Sequence, residues 1–467
     1  MSDAKVTRMN SRRPYKLPEP LICDADAVID ISLVHKYIDK HEERLPRYKY
    51  LENLYKGFHD VFNLPEKESW KPDNRLAVNF PRYITDTFLG YAYGVPVKRS
   101  HPKENIDEAI KEFDQSNDMG DHDFELEKQA CIYGHAYEYL YQDEESQTRI
   151  ATVKPKHGFI VYDDTVQRRA MFEVRYGYKG NGTIRVGEVM TRDEFYEFTG
   201  STMNEGIINP YGRLPMIEYA LNQERISLFE GIAGMTEVYN KTIGEKANDV
   251  DSFAEAYLAI LGAELDDDGI YRIRDNRIIN LYGTDDAKDI VVQFLQKPTA
   301  DGSQENLLDR LEKLIYQTSM VANISDENFG QASGTALAYK LQAMSNLALT
   351  ADRKMIKSMS ARYKLFCSLP TNVPDPDAWK DIDYKTTRNI PKNLLEEAQT
   401  AQALDGITSQ ETQLSVLSVV GNASDEIKKM EKEHEKAQET ATGNDLLERL
   451  RDGQQDILEP ERSGTAS

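Results

Sequence analysis

The stretch ANISDENFGQASGTALAYKL (residues 322–341) sets a loop of Asn, Ser, Asp and Gly directly before a long helical pattern. Upstream, Leu307, Leu308, Leu311, Leu314 and Ile315 recur at helical spacing. Downstream, Ala336, Leu337, Leu341, Met344, Leu347 and Ala348 do the same. Helices are therefore expected over 303–321 and 335–368, joined by a loop at 322–334 that carries Gly330, Gly334 and, near its middle, Phe329.

Working outward, the same period runs through 224–261, where Leu228, Ile232, Met235, Tyr239, Ile243, Val250, Phe253, Tyr257 and Leu261 form one stripe. At 1.5 Å per residue such a helix would reach about 55 Å. Gly231, Gly234 and Gly244 interrupt it and point to a kink or a close helix–helix approach. Between this helix and the next lies a compact β insert over 262–302. GIYRIRDNRIINLYG (269–283) reads as two strands around Asp275-Asn276, and IVVQF (290–294) adds a third. The order is long helix, small β module, long helix, loop, long helix: a stalk with a β tip at one end and a loop at the other.

Toward the N-terminus, residues 1–28 read as a flexible arm, with basic residues but no apolar run of a signal peptide. Helical patterns cover 29–60, punctuated by Pro46, then 74–94 and 103–133. On the second of these, Leu76, Phe80, Tyr83, Ile84, Thr87, Phe88 and Tyr91 share a face. The period then changes to two, so 134–220 is expected to be an antiparallel β region, with an Asn-Gly hairpin turn in KGNGT (179–183). In the C-terminal part, Thr408 and Glu411 fit a capping box ahead of Leu414, Leu417 and Val420. SDEIKKMEKEHEKAQE (424–439) reads as a charged helix, and residues 441–467 as a disordered tail.

At 467 residues the chain exceeds one ordinary core, and two to four domains are expected. A net charge of −22 argues against a sequence-specific DNA binder, which needs Lys and Arg to neutralise phosphates. Cys23, Cys131 and Cys367 lie too far apart for a CxxC pair, so neither a disulfide framework nor a zinc site is expected, and a reducing compartment is. The longest apolar run, AYLAILGA (256–263), is too short to span a bilayer, which suggests a soluble protein made inside a cell.

Motifs for catalysis are missing: there is no GxxxxGK[ST], GxGxxG, HExxH or GxSxG. Asp121, His122, Asp123 and Glu125 cluster in GDHDFELE (120–127), but acidic residues opening a helix usually favour its dipole. DDDG (266–269) has Arg277 where a calcium loop needs Glu, and reads as a turn. His135 reads as a packed core histidine. No catalytic residue, metal or cofactor is expected.

Four stretches, in order, resemble the portal proteins of long-tailed bacteriophages, the head-to-tail connectors. NRLAVNFPRYITDTFLGYAYGVPVK (74–98) resembles the family's N-terminal segment through Asn79, Ile84, Asp86, Gly90, Tyr91, Gly94 and Pro96. PYGRLPMIEYALNQERISLFEGI (210–232) resembles the lead-in to the stem helix. NFGQASGTALAYKL (328–341) resembles the tunnel-loop-to-helix segment through Ser333, Gly334, Ala336, Lys340 and Leu341, and GITSQETQLSVLSVV (406–420) resembles the crown.

The resemblance implies an α+β portal-type fold. Its parts would be a mixed α/β wing (29–223), a stem helix (224–261), a small β clip (262–302), a second stem helix (303–321), a tunnel loop (322–334), a long helix returning to the wing (335–390) and a helical crown (391–440). It implies a homo-oligomeric ring, twelve-fold in the assembled capsid, at one vertex of the virion. Double-stranded DNA would pass through it without sequence specificity during packaging and ejection. The implied partners are the terminase large subunit, a head-completion adaptor, and the major capsid and scaffolding proteins, and the protein itself would be made in the host cytoplasm. The channel residues would be Asn323, Ser325, Asp326, Glu327, Asn328, Phe329, Gly330, Gln331, Ser333, Gly334 and Lys340. The clip contacts would be Tyr271, Arg272, Arg274, Asp275, Asn276 and Arg277. An acidic lining would let DNA slide, and Lys340 would make either a transient phosphate contact or an intersubunit salt bridge. The competing readings are a metal-dependent nuclease built on Asp121–Glu125 and a non-viral helical scaffold.

Overall fold

A computed structural model describes residues 18–69, 71–254, 258–261, 291–294, 301–325, 334–390, 394–417, 419–420, 423–424 and 426–436. The chain divides into two compact units, residues 1–389 and 390–467.

The first unit opens with β1 (Leu21–Cys23), α1 (Ile31–Glu42) and α2 (Leu45–Lys56). The arm expected over 1–28 thus gives way to ordered chain by residue 21. The physical reason is alternation: Leu21 and Cys23 are buried while Tyr37 donates a hydrogen bond to the Ile22 carbonyl at 2.5 Å. Asp30 caps α1 by accepting from the Leu33 N–H at 2.7 Å. Pro46 lies in the first turn of α2, where its missing N–H costs nothing, so it starts a helix rather than kinking one.

α3 (Phe80–Tyr93) begins six residues later than expected. Residues 74–79 instead run along a neighbouring helix, whose Asn240 and Asn248 side chains accept from the Val78 and Asn74 N–H groups at 2.8 and 2.5 Å. Leu76 is correspondingly exposed, and Asn79 and Pro81 start α3. After β2 (Lys98–Ser100), α4 (Glu104–Ser116) and α5 (Met119–Tyr133) are separated at Asp118, which takes a left-handed φ of 46°.

The antiparallel region expected over 134–220 resolves into two sheets. β3 (His135–Gln142) and β4 (Thr148–Val153) join β11 (Met216–Ala220) in the order β11-β3-β4. β5 (Gly158–Asp163), β6 (Ala170–Lys179), β7 (Ile184–Thr191), β8 (Glu194–Thr199), β9 (Thr202–Met203) and β10 (Ile207–Ile208) form a seven-stranded sheet with β1, which pairs parallel to β5. Gly180, Asn181 and Gly182 all take positive φ in the β6–β7 hairpin turn. Alternation along β6 decides the layering. Phe172, Val174 and Tyr176 pack with Val34, Tyr37 and Ile38 of α1. On the opposite face Ile160 and Met190 pack with Tyr137, Tyr139, Val153 and Met216 of the three-stranded sheet. His135 is buried in ring contact with Tyr48 and Tyr137, and burial lowers its pKa to about 3.

α6 (Ala233–Ala254) is shorter than the helix expected over 224–261. At its start, Asn222 binds the Ile226 N–H at 2.8 Å and carbonyl at 2.7 Å, Arg225 takes φ 55°, and the Leu228 N–H donates to Cys131 of α5. At its end the chain becomes β12 (Leu258–Leu261), paired antiparallel with β13 (Val291–Phe294). Of the three interrupting glycines, Gly244 marks a close approach: a Cβ there would lie 3.0 Å from the Asn74 carbonyl oxygen. α7 (Asp301–Ser319), α8 (Gly334–Phe366) and β14 (Asp383–Lys385), paired with β2, complete the unit.

The second unit contains α9 (Leu394–Ala403), α10 (Gln410–Ser415) and a helical stretch at 426–436. The cap of α10 is Ser409, which accepts from the Thr412 N–H at 3.3 Å, not Thr408. Thr408 instead donates its hydroxyl back to Leu404 at 3.5 Å. Residues 441–467 lie outside the described residues.

Candidate functional site

The candidate site is the hairpin of α6 and α7 with the loop that follows it. Tyr239 and Tyr316 both pack edge-on to Phe80 of α3, with centroids 5.0 and 6.0 Å away. Farther along, Lys246 pairs with Glu305, and Gln304 donates to Asp249 at 3.2 Å. Residue numbers rise on α6 as they fall on α7, so the helices are antiparallel. The Leu258–Phe294 pairing of β12 and β13 continues the same register outward. The β ribbon and the loop after α7 therefore sit at opposite ends of α7, whose 19 residues span about 28 Å.

A strap and a ring of buried groups hold α6. Glu237 accepts from His59 Nδ1 and from the Asp60 N–H, both at 3.1 Å. Asn240 and Asn248 hold residues 74–78 as described above. Three polar residues on one α6 face were a readable sign that something hydrophilic, a backbone, lies against it.

The loop begins at Met320, in a left-handed φ of 60°, after which Val321 turns into the core. Asn323 Oδ1 accepts from the Ser325 N–H at 3.1 Å, and its amide reaches Glu312 at 3.4 Å. Tyr83 of α3 ties the segment down: its hydroxyl accepts from the Ile324 N–H at 3.1 Å and lies 3.3 Å from Ser325 Oγ. Of the residues expected to form the channel, Asn323 and Ser325 are thus brought together against α3. Gly334 is the first residue of α8, and Lys340 is exposed on its second turn. Asp326, Glu327, Asn328, Phe329, Gly330, Gln331 and Ser333 lie outside the described residues, as do the clip residues Tyr271, Arg272, Arg274, Asp275, Asn276 and Arg277. In the sequence Tyr83 reads as a core-face residue, and its hydroxyl role carries no sequence signal.

α8 is fixed at its other end by charge. Arg362 is fully buried; its Nε donates to Glu138 at 2.8 Å, and a guanidinium nitrogen lies 2.8 Å from Asp123. Arg99 pairs with the same Asp123 and, at 3.3 Å, with Asp114. His122 lies 3.2 Å from Glu138. Burial alone would raise the Glu138 carboxyl, but Arg362 and His122 hold it down to about 2. Two members of the acidic cluster at 121–125 are thereby engaged in structure: Asp123 with arginines and His122 with Glu138. Glu125 pairs with Lys128 at 2.8 Å on the surface. Among the described residues no group of three or more His, Cys, Asp or Glu is disposed to hold a metal ion. No helix among them is long and apolar enough to cross a membrane.

The family model described as "Phage portal protein, SPP1 Gp6-like" matches residues 34–440. A portal protein of Clostridium phage phiCD119 is 22% identical over 382 residues, covering 74% of this chain and 82% of that protein. A chain in the virion of a native gene transfer agent particle aligns over 72% of this chain and 89% of its own length, at 10% identity and a TM-score of 0.40, too low to bear on function. The family match alone covers most of the chain, and the chain belongs to the SPP1 Gp6-like phage portal proteins.

Proposed function

We propose that the protein assembles as a closed ring at one capsid vertex and forms the conduit through which double-stranded DNA enters and leaves. The observation that carries this is the antiparallel α6–α7 hairpin, with a β ribbon at one end and the 322–334 loop at the other. A hairpin of this kind, repeated around a ring axis, lines a tunnel and separates an outward docking tip from an inward loop. The segment 262–302 is the platform for the terminase large subunit and later for a head-completion adaptor, with Tyr271, Arg272, Arg274, Asp275, Asn276 and Arg277 as contacts. The loop governs DNA passage without catalysing anything, and twelve copies act in the assembled capsid. A net charge of −22 supports sliding rather than gripping.

Negative-stain microscopy of the purified protein tests the reading, and rings with a central hole are expected. Deleting residues 268–283 should leave rings intact while abolishing terminase binding. A monomer by light scattering across concentrations and salts contradicts the proposal.

A further inference from the structure

Two runs of chain, 55–64 at and after the end of α2 and 74–79 before α3, lie side by side on α6. The Asn79 amide donates to the Tyr55 carbonyl at 3.0 Å and Arg75 donates to the Phe62 carbonyl at 3.0 Å, so the runs are antiparallel. Both are pinned to α6. Glu237 holds the first through His59 and the Asp60 N–H, and Val61 is buried. Asn240 and Asn248 hold the second through the Val78 and Asn74 N–H groups, and the Asn74 amide reaches Asp251.

What these bonds present to water is apolar. Phe58 is 64% exposed, and Phe62, Leu64, Leu76 and Val78 are between 37% and 45% exposed. Leu76 and Val78 alternate with half-buried Arg75 and Ala77, the spacing that turns both to one side. Helical periodicity would place Leu76 on a core face; asparagine side chains hold it outward instead. Adjoining apolar side chains fixed at a surface mark a protein contact, and their fixed backbone lowers the entropy lost on binding. A cavity of about 210 Å³ opens among the same elements, with Val61, Leu64 and Pro65 on one wall and Lys241, Gly244 and Glu245 on another. Such a cavity suits an anchoring side chain from a partner.

Charge selects the partner. Residues 58–79 carry three basic and four acidic side chains, in a chain of net charge −22. All three cations are engaged: Lys67 with Glu245 at 2.9 Å, Lys71 with Glu68 at 3.0 Å and Arg75 with Asp73 at 2.7 Å. That leaves little for phosphate and argues against nucleic acid. Copies of a strongly acidic chain repel one another, and a nearly neutral apolar strip is where they approach at least cost. Ring contacts are heterologous, so each subunit needs one face that receives the next. This strip lies on α6, part of the hairpin that each subunit contributes to the ring.

We propose that residues 58–64 and 74–79 form the face that receives the next copy of this chain, with a side chain of that copy seated in the cavity. The assignment rests on the ring reading and adds the place where one subunit meets the next.

The test uses the full-length protein and mass photometry. Rings are expected for the unsubstituted protein, and Leu76→Asp/Val78→Asp should need at least tenfold more protein to assemble. Both side chains face water, so circular dichroism should be unchanged. Val166→Asp, at an exposed apolar position between β5 and β6, should keep the rings. Photoreactive benzoylphenylalanine placed at Phe62 reads the contact without disturbing assembly: illumination should give covalent dimers and longer ladders of this chain. If the double variant does not fold, this crosslink decides alone. A monomeric unsubstituted protein overturns the ring reading and this face together. Rings that persist in the double variant, or that give no crosslink at Phe62, overturn this face alone. Loss of rings in Val166→Asp to the same extent does so too. Intact double-variant rings that fail to enter capsids would assign the face to a capsid protein and overturn it as well.

Discussion

The two halves of α8 make the most informative comparison in the molecule. In the N-terminal half, Leu341, Met344 and Ala348 form a single buried stripe, and Tyr339, Lys340 and Leu349 face outward. In the C-terminal half, Ser358, Met359, Arg362, Tyr363, Leu365 and Phe366 are buried almost all round. One helix thus begins as a surface element beside a loop and ends as a core element clamped by an ion network. The difference teaches that one helix can be a surface element at one end and a core element at the other. The Arg362–Glu138–Asp123 cluster supplies the buried anchor of the C-terminal half.

The largest effect should come from breaking the clamp. Arg362→Met leaves Glu138 buried without its main partner and Asp123 with Arg99 alone, which should cost about 3–5 kcal/mol in denaturant unfolding. A loss below about 1 kcal/mol would mean that the two halves are held equally well by apolar packing.

A smaller effect concerns pH in the same region. Burial, and then Asp123 and Asp352, raise the Glu127 carboxyl to about 8. Its folded-state pKa therefore exceeds the ordinary value, so its contribution is complete below about pH 4.5 and is lost as pH rises through about 8. Glu127→Gln should abolish that loss, which grows by up to about 1.4 kcal/mol per pH unit between about pH 4.5 and 8, so its stability curve should diverge from the unsubstituted protein's across pH 6 to 8. Thermal melts from pH 6 to 9 check this, and parallel curves for the two proteins would refute it.

The sequence made the periodicities legible and the polar contacts illegible. Helical spacing located α7 and α8 to within two residues at most ends, because their stripes face a core. The overlong reading of 224–261 failed because apolar residues at helical spacing, such as Leu228, continue into a turn that the Asn222 side chain closes. Arg362 could have been noticed as a lone cation inside the stripe of Met355, Met359, Tyr363 and Phe366. Its partners, Glu138 on a strand and Asp123 on α5, are far away in sequence, and nothing local names them. The doubly buried β3 likewise hid the division into two sheets, since a strand covered on both faces shows little alternation.

At the loop end of the comparison, Tyr83→Phe removes the acceptor for the Ile324 N–H and the contact with Ser325. It should cost about 0.5–1.5 kcal/mol, seen as faster amide exchange at 321–325 with the α8 C-terminal half unchanged. Uniform exchange changes across α8 would show that its halves are not separable. Smallest of all, Lys67→Ala breaks the half-exposed pair with Glu245 beside α6 and should change stability by at most about 1 kcal/mol. Urea unfolding with a loss as large as that of Arg362→Met would erase the distinction between surface and clamp.

The central claim is that residues 322–334 face the bore of a ring while the C-terminal half of α8 stays embedded in each subunit. Cryo-electron microscopy of the assembled protein, with gold-labelled cysteine substituted at Lys340 in one sample and at exposed Lys111 in another, measures this directly. The account predicts Lys340 label around the central hole and Lys111 label away from it. Lys340 label on the outer rim, or particles with no hole, would contradict it.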